Sequence, residues 1–435
     1  MITELLNKLK GIDKKILQRF LLITGGSQLI YAMVSIRTVL YEPIRDMLGV
    51  DHAQFGLLLS LSGIIQILLY VPVGWISDRF APRKVLASGM ILTGLTGFIL
   101  VSSPPFWLAF IVFASYGVIE VFYWPSVMKS VRVLAPDNRQ STAFGAMEGT
   151  RGGTDLIVNA LAIAIFTYFG QTIFGIKVVY IINACLIIGF GILTYLLLPE
   201  ENFLKKGDST GKNKEALSGL LKALKMPEVW LCGLTASTVY VSFVGINYFL
   251  PFLQNVFMLS ATMAALFSLF SISTLRLFVA PAGGLIADRV FGGAARFMRV
   301  ALLFVVLSVT VVLFVPKTSD YMIVAFVAMA AISSLAFMLR SVYYAPIGEM
   351  GIPKSMSGAA MSVASFIGYS PMFWGYLVYG NILDSFEPEQ AYNYIFMIMI
   401  GFAALGVVLS SFMAHRIKKV RERNEQAKVG EITTA

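Results

Sequence analysis

The sequence GWISDR at residues 74–79 recurs as GLIADR at residues 284–289. Each copy follows a long apolar segment, has a proline shortly before it and has basic residues after it. A second pair of matching stretches lies at 124–145 and 345–358, each with two prolines followed by a glycine. These repeats predict two related halves of a pseudo-symmetric membrane protein.

Composition places most of the chain in lipid. Hydrophobic residues make up 57% of the 435 residues and charged residues only 13%, whereas about a quarter of the residues in soluble domains are charged. The mean hydropathy is +0.77, so the apolar surface far exceeds what one water-facing core could bury.

We predict twelve membrane-spanning helices, called spans 1 to 12. Each is an apolar segment long enough to cross a hydrocarbon core of about 30 Å, and each must be helical because lipid offers no partner for an unpaired amide. The spans are 18–41, 53–77, 85–102, 104–128, 141–169, 173–198, 229–252, 261–287, 297–316, 320–346, 355–380 and 391–414. The predicted fold class is an all-α membrane protein of two pseudo-symmetric six-helix bundles.

The one long polar interruption divides the chain near its middle. It predicts an N-terminal bundle at 1–198, a cytoplasmic linker at 199–228 with a short amphipathic helix, and a C-terminal bundle at 229–414. A charged cytoplasmic tail follows at 415–435, and its polarity predicts disorder beyond Arg423.

The net charge of +10 reflects membrane topology. Most of the 34 Lys and Arg fall in the termini, the linker and the loops between even- and odd-numbered spans, and the opposite loops hold three: Arg45, Lys177 and Lys317. This bias predicts cytoplasmic termini in a multi-pass protein of the cell (inner) membrane. A nucleic-acid partner is therefore not expected.

The two cysteines indicate neither a disulfide framework nor a metal site.

The loop motif with its repeat resembles that of the major facilitator superfamily. Finer matches resemble its organophosphate:phosphate antiporter branch: SDRFAPR at 77–83, Trp124-Pro125 with Lys129, DRVF at 288–291, and Pro353-Lys354 followed by Gly358 and Gly368-Tyr369. The resemblance implies a secondary transporter that works by alternating access, and the superfamily's usual state implies a monomer.

The arginine pair of that branch is not preserved here. The branch carries one substrate arginine in span 1 and one in span 7, positions that correspond to Ser35 and Phe243. Arg37 lies two residues beyond the first position. Exchange of phosphate esters therefore does not follow from the resemblance alone.

The repeated loops are expected to act as a conformational latch, in which charges at helix ends hold adjacent helices in one conformation and release them in the other. An aspartate at a helix C-terminus is disfavoured by the helix dipole, so its presence in both copies suggests a partner. The alternative is that these charges only set topology. The predicted latch residues are Asp78, Arg79, Arg83, Asp288 and Arg289.

Span 5 carries the densest group of ionisable residues at membrane depth, where charges are expensive and mark candidate functional sites. Glu148, Arg151 and Asp155 share one helix face, and Glu120 of span 4 could approach them. Two carboxylates with one guanidinium leave one carboxylate able to take a proton, so these four residues are the proton-coupling candidates. The alternative is an ion-pair network that only joins spans 4 and 5.

Three arginines at membrane depth suggest an anionic substrate, because a guanidinium that faces a water-filled cavity can bind an anion through two parallel hydrogen bonds. They are Arg37, Arg276 and Arg340. Their alternative partners are backbone carbonyls or a carboxylate of span 1, 4 or 5. The polar-tipped residues Tyr240, Asn247 and Tyr344 complete the predicted substrate-binding set.

These features predict a secondary active transporter that moves a small organic anion, such as a sugar acid or sugar phosphate, by proton coupling or by anion exchange. A carrier of a neutral or lipophilic compound is the first alternative. The second is a transporter-like membrane sensor, since the resembled branch includes a receptor for sugar phosphate. No nucleotide-binding loop, nucleophile–base pair or metal-ligand set is visible, so neither an enzyme nor a cofactor is expected.

Overall fold

The computed structural model describes residues 14–76, 81–134, 140–199, 221–352 and 357–434. All regular structure in these ranges is helical, in agreement with the predicted all-α class. Contacts between helices divide the chain into two compact units. The first comprises Met1–Val50 and Ile64–Gly207, and the second comprises Asp51–Gly63 and Asp208–Ala435.

The first unit is built on spans 1 to 6. Its helices are α1 (Lys14–Leu29), α2 (Ala32–Ser35), α3 (Arg37–Leu48), α4 (His52–Ile76, shared with the second unit), α5 (Pro82–Val101), α6 (Phe106–Leu134), α7 (Gln140–Tyr168) and α8 (Ile173–Leu197). The α5 and α8 helices pack closely because glycines line their contact. A Cβ atom on Gly94 would lie 2.8 Å from the carbonyl oxygen of Ala184.

The second unit is built on spans 7 to 12. Its helices are α9 (Pro227–Gly245), α10 (Phe249–Asn255), α11 (Ala261–Ser268), α12 (Leu275–Arg289), α13 (Ala294–Phe314), α14 (Met322–Val342), α15 (Pro346–Glu349), α16 (Ser357–Gly368), α17 (Pro371–Ser385) and α18 (Pro388–Thr434). The α9–α10 pair is central: 78% of its most apolar window is buried, against 33–44% in the other apolar spans of the described chain.

Eight helices within the described residues are long and apolar enough to cross a membrane, or nine if the bent pair at Lys14–Ser35 and Arg37–Leu48 counts as one span. Every predicted span contains helix, but several are interrupted or polar, as in α7 with its ionisable residues. The multi-pass character is therefore observed, and the number twelve and the cytoplasmic termini stay predictions.

Several spans that the sequence presents as single helices are broken. Span 1 bends by 42° between its two parts, span 7 narrows to a 3₁₀ turn at Ile246–Tyr248, and span 8 widens to a π-helix at Leu269–Thr274. Broken spans free backbone carbonyls that need donors. Side chains supply them: Arg37 Nη1 donates to the Val34 carbonyl at 2.8 Å and Tyr180 Oη to the Met33 carbonyl at 3.0 Å.

The tail corrects one expectation. Disorder was predicted beyond Arg423, but α18 continues as one helix to Thr434. Its C-terminal part is held by ion pairs, since Arg421 Nη2 lies 3.4 Å from Glu349 Oε2 and Arg416 pairs with Glu228. An i,i+4 pair between Lys418 and Glu422 at 3.7 Å adds local support for the helix.

The first turns of α4 pack on α17 within the second unit. Asp384 of α17 accepts hydrogen bonds from the backbone N–H groups of His52, at 3.1 Å, and of Ala53. Glycines allow the backbones to touch: a Cβ on Gly56 would collide with the Tyr376 carbonyl, and one on Gly380 with the His52 carbonyl. Sequence reasoning placed residues 51–63 in the N-terminal bundle, whereas these contacts group them with the second unit.

Candidate substrate and proton sites

The second unit contains an arginine surrounded by aromatic rings, which we call the Arg340 cluster. Its members come from α9, from the end of α14 and the turn after it, and from the end of α16: Tyr240, Phe243, Arg340, Tyr343, Tyr344 and Tyr369. The Arg340 guanidinium carbon lies 4.0 Å from the Phe243 ring centroid and 5.4 Å from that of Tyr240. These distances are those of cation–π contacts.

The phenol groups of the Arg340 cluster form a chain. Arg340 Nη2 lies 3.5 Å from Tyr240 Oη, which lies 3.4 Å from Tyr343 Oη, and Tyr343 Oη lies 3.2 Å from Tyr369 Oη. Because a phenol both donates and accepts, the chain can reorient its hydrogens to suit a ligand.

The end of α14 explains how one short stretch supplies three of these residues. The helix ends at Val342, two residues after Arg340, and Tyr343 and Tyr344 lie in the following turn with ring centroids 4.1 Å apart. Tyr344 fits against α16 where Gly368 leaves space: a Cβ there would lie 2.8 Å from Tyr344 Oη.

Burial in the Arg340 cluster is graded. Tyr240 and Tyr343 are buried, at 3% and 8% exposure, whereas Phe243, Arg340 and Tyr369 are half-buried. A guanidinium that stacks on aromatic faces has N–H groups in its plane, and their geometry matches two oxygens of a carboxylate or a phosphate group. The cluster can therefore hold an acidic group and, through its phenols, neighbouring hydroxyls.

The other predicted substrate residues lie elsewhere. Asn247 is buried in the 3₁₀ turn of span 7, where its amide nitrogen donates to the carbonyls of Phe243 and Val244 at 2.9 and 3.2 Å. Arg276 is the second residue of α12, directly after the π-helical segment, a distortion that often marks functional sites. Arg37 donates a hydrogen bond to the Val34 carbonyl at the break in span 1. A backbone carbonyl was one of the alternative partners that the sequence left open for this arginine.

In the first unit a buried carboxylate contacts an amide. Asp155 on α7 is 5% exposed, and its Oδ1 accepts a hydrogen bond of 2.9 Å from Gln28 Nε2 at the end of α1, which is 6% exposed. Asp155 is among the predicted proton-coupling residues and Gln28 is not, because that prediction rests on ionisable side chains alone. The signal was present, since Gln28 interrupts an apolar run.

The remaining proton-coupling candidates lie on α6 and α7. The Arg151 guanidinium carbon lies 4.7 Å from the Trp124 ring centroid, one helical turn before Asp155. Glu120 on α6 is half-buried. Glu148 lies within α7, and its side chain is outside the described part of the structure.

The predicted latch is only partly visible. Asp78 and Arg79 lie outside the described residues, and Arg83 stacks on Tyr195 of α8 at 4.2 Å. In the second half, Asp288 and Arg289 are exposed at the end of α12, and neither joins an ion pair within the described ranges. Glu349 instead binds the Ala294 backbone N–H at 3.3 Å and Arg421, a contact that the sequence did not reveal.

No group of three or more His, Cys, Asp or Glu side chains is placed to hold a metal ion within the part of the chain that the structure describes. The free cysteines are Cys185, which is exposed, and Cys232, which is buried.

Comparisons with known proteins agree with this architecture. The Escherichia coli (strain K12) inner membrane protein YihN is 28% identical over 414 residues, which cover 94% of this chain and 97% of that protein. The inner membrane protein YqcE of the same organism is 25% identical, over 87% of this chain and 89% of its own. The crystal structure of a bacterial homologue of the human lysosomal transporter Spinster, in an inward-facing and unoccupied conformation, superposes with a TM-score of 0.74. Its identity is 16%, and the match covers 94% of this chain and 99% of that structure.

The sequence matches the profile of the Major Facilitator Superfamily over residues 21–376. The protein therefore belongs to the Major Facilitator Superfamily, as the repeated loop motif predicted. It is a multi-pass membrane transporter and not an enzyme, and both Escherichia coli relatives are inner membrane proteins. Members of the family bind small-molecule substrates within the membrane. The finer resemblance to the organophosphate:phosphate antiporter branch stays a prediction.

Proposed function

We propose that this transporter moves a small organic anion, such as a sugar acid or sugar phosphate, and that the Arg340 cluster binds its acidic group. The observation that carries the proposal is the half-buried guanidinium of Arg340, held 4.0 Å from the Phe243 ring centroid beside a chain of phenols. A charged group at membrane depth is expensive and is retained where it has a function.

The position of Phe243 supports an anionic substrate. It is the place in span 7 at which the resembled branch carries one of its substrate arginines, and here a guanidinium from α14 lies against that position. Arg340 therefore delivers the positive charge that Phe243 cannot. The second arginine of that branch has no equivalent at Ser35, and Arg37 nearby donates to a backbone carbonyl. A substrate with a single acidic group fits this arrangement better than exchange of phosphate for a phosphate ester.

The rest of the Arg340 cluster suits a polyhydroxylated substrate. Tyr240, Tyr343 and Tyr369 offer phenols within 3.5 Å of one another or of Arg340, and such groups can donate to or accept from sugar hydroxyls. Their ring faces can pack against the apolar C–H face of a sugar ring. Asn247, Tyr344 and Arg276 remain further candidates for contact.

Proton coupling is the proposed energy source, and the buried Asp155 is its proposed carrier. It is enclosed with Gln28 and preceded by Arg151 on the same face of α7. Glu120 and Glu148 are the other carboxylates that could carry the proton. Anion exchange is the alternative mode of transport. The protein is expected to act as a monomer.

Replacing Asp155 with asparagine is expected to abolish the stimulation of uptake by an inwardly directed proton gradient. The amide cannot bind a proton, whereas counterflow of labelled against unlabelled substrate needs no net proton movement and should persist. Both rates are measured in proteoliposomes. The matched variants Glu120→Gln and Glu148→Gln identify the carrier if Asp155→Asn has no effect, and unchanged stimulation in all three excludes carboxylate coupling.

The anion preference is tested first by binding to the purified protein. We expect a sugar acid or sugar phosphate to raise the melting temperature in detergent, and the neutral parent sugar to leave it unchanged. Stabilisation by the neutral sugar, retained in Arg340→Ala, would favour a carrier of neutral compounds. A ligand that binds without later flux across a bilayer would favour a sensor.

A further inference from the structure

The side-chain oxygen of Gln28 lacks a hydrogen-bond donor among the described residues. Its Nε2 donates to Asp155 Oδ1, but its Oε1 is buried and accepts no hydrogen bond among the described residues. The residue is 6% exposed, so bulk water does not satisfy that oxygen. Buried amide oxygens normally have a donor, and a missing one calls for an explanation.

A protonated Asp155 would supply the donor. A carboxylic acid and a primary amide are complementary: the amide N–H donates to the acid carbonyl while the acid O–H donates to the amide carbonyl. We propose that Gln28 and Asp155 form the proton-binding site of this transporter, in which the carboxyl group takes a proton from water and donates it in a hydrogen bond to Gln28 Oε1. The inference rests on the proposed role of Asp155 and adds Gln28 as the positioning residue.

Other charged groups act on the same carboxyl group. The α7 helix packs against α1, α3, α6 and α8. Besides Asp155, these five helices carry the charged residues Lys14, Lys15, Arg19, Arg37, Glu42, Arg45, Asp46, Glu120, Lys129, Arg132, Glu148, Arg151 and Lys177. Their buried phenols are Tyr41, Tyr116, Tyr123 and Tyr180. Arg151 lies one turn from Asp155 on the same face of α7. Protonation of Asp155 removes the negative charge next to Arg151 and supplies a donor to Gln28 Oε1.

The position of Gln28 links this site to the bend of span 1. Gln28 is the penultimate residue of α1, and its backbone carbonyl accepts a 3.0 Å hydrogen bond from the Tyr31 N–H in the turn that follows. One residue thus contacts the proton site with its side chain and the break with its backbone.

Infrared spectroscopy tests the site without a substrate. Purified full-length protein in lipid nanodiscs is stepped from alkaline to acid pH, and the carbonyl stretch of a protonated carboxyl group is recorded. We expect a titrating band that is absent in Asp155→Asn. In Gln28→Leu the band should move to higher frequency, because the acid carbonyl no longer accepts the Nε2–H bond.

A second variant tests the direction in which the titration midpoint of the carboxyl band moves. Gln28→Glu places two carboxyl groups in contact, and two such groups resist ionising together. The titration midpoint should therefore rise by about one pH unit or more. Gln28→Asn, whose shorter side chain does not reach Asp155, should reproduce the band shift of Gln28→Leu if the leucine variant folds poorly.

The control is Gln254→Leu on α10, since Gln254 also has a buried Oε1 without a hydrogen bond among the described residues. It should leave the Asp155 band unchanged. A band that depends on Asp155 but stays in place in a folded Gln28→Leu would overturn the role of Gln28. Absence of any band that depends on Asp155 would overturn the proton site, while Arg340-dependent ligand binding would still stand as a separate result.

Discussion

Replacing Arg340 with lysine is expected to lower the affinity for the transported anion by roughly 10- to 100-fold. Lysine keeps the charge but loses both the planar two-pronged hydrogen bonding and the stacking on Phe243. Hydrogen bonds to a charged group contribute about 1.5–3 kcal/mol, and each 1.4 kcal/mol is about tenfold in affinity. The measurement is the KM of uptake into proteoliposomes, and Arg340→Ala should reduce uptake further.

The matched control is Arg45→Lys. Arg45 lies on α3, outside the Arg340 cluster, and its guanidinium pairs with Glu42 and with Asp46 at 2.9 Å. Ion pairs that are partly exposed to solvent contribute about 0–1 kcal/mol to stability. Its variant should transport normally. An unchanged KM in Arg340→Lys and Arg340→Ala, with both proteins folded, would contradict the proposed substrate site.

Replacing Gly56 with alanine is expected to destabilise the protein by about 1–3 kcal/mol, the usual range for overpacking. A single Cβ would collide with the Tyr376 carbonyl oxygen and lie 3.0 Å from its carbon, and a backbone group cannot rotate away as a side chain can. Gly380→Ala should behave alike, because its Cβ would meet the His52 carbonyl. Both effects are measured by thermal unfolding in detergent.

Gly401→Ala is the control for these two variants. Gly401 lies within α18, and its Cβ would meet no atom within 4 Å. Alanine favours a helix over glycine by about 1 kcal/mol, so this variant should be as stable as the wild type or slightly more stable. If Gly56→Ala unfolds at the same temperature as Gly401→Ala, the close packing of α4 on α17 is not present in the protein.

The positions of the helices follow from the sequence, but their breaks do not. Long apolar segments must be helical in lipid, and each predicted span contains helix. The π-helix at Leu269–Thr274 contains neither proline nor glycine, so its local sequence does not predict it. The bend in span 1 depends on donors such as Tyr180, which come from a distant part of the chain.

The sequence predicts the charged members of the candidate sites and, of their uncharged members, Tyr240 and Tyr344. Arg340 and Asp155 stand out because charge is expensive at membrane depth. Their partners do not, since Phe243 and Gln28 are ordinary residues whose importance comes from a contact between distant helices. The hydrogen bonds from the Asn247 amide nitrogen to the carbonyls of Phe243 and Val244 were likewise not predictable, because they depend on the break in span 7.

Uptake of a matched pair of compounds, a labelled sugar acid and its neutral parent sugar, into proteoliposomes tests the central claim most directly. The prediction is saturable uptake of the acid alone, lost in Arg340→Ala and retained in Arg45→Lys. Saturable uptake of the neutral sugar that persists in Arg340→Ala, or binding of the acid with no flux, would contradict it.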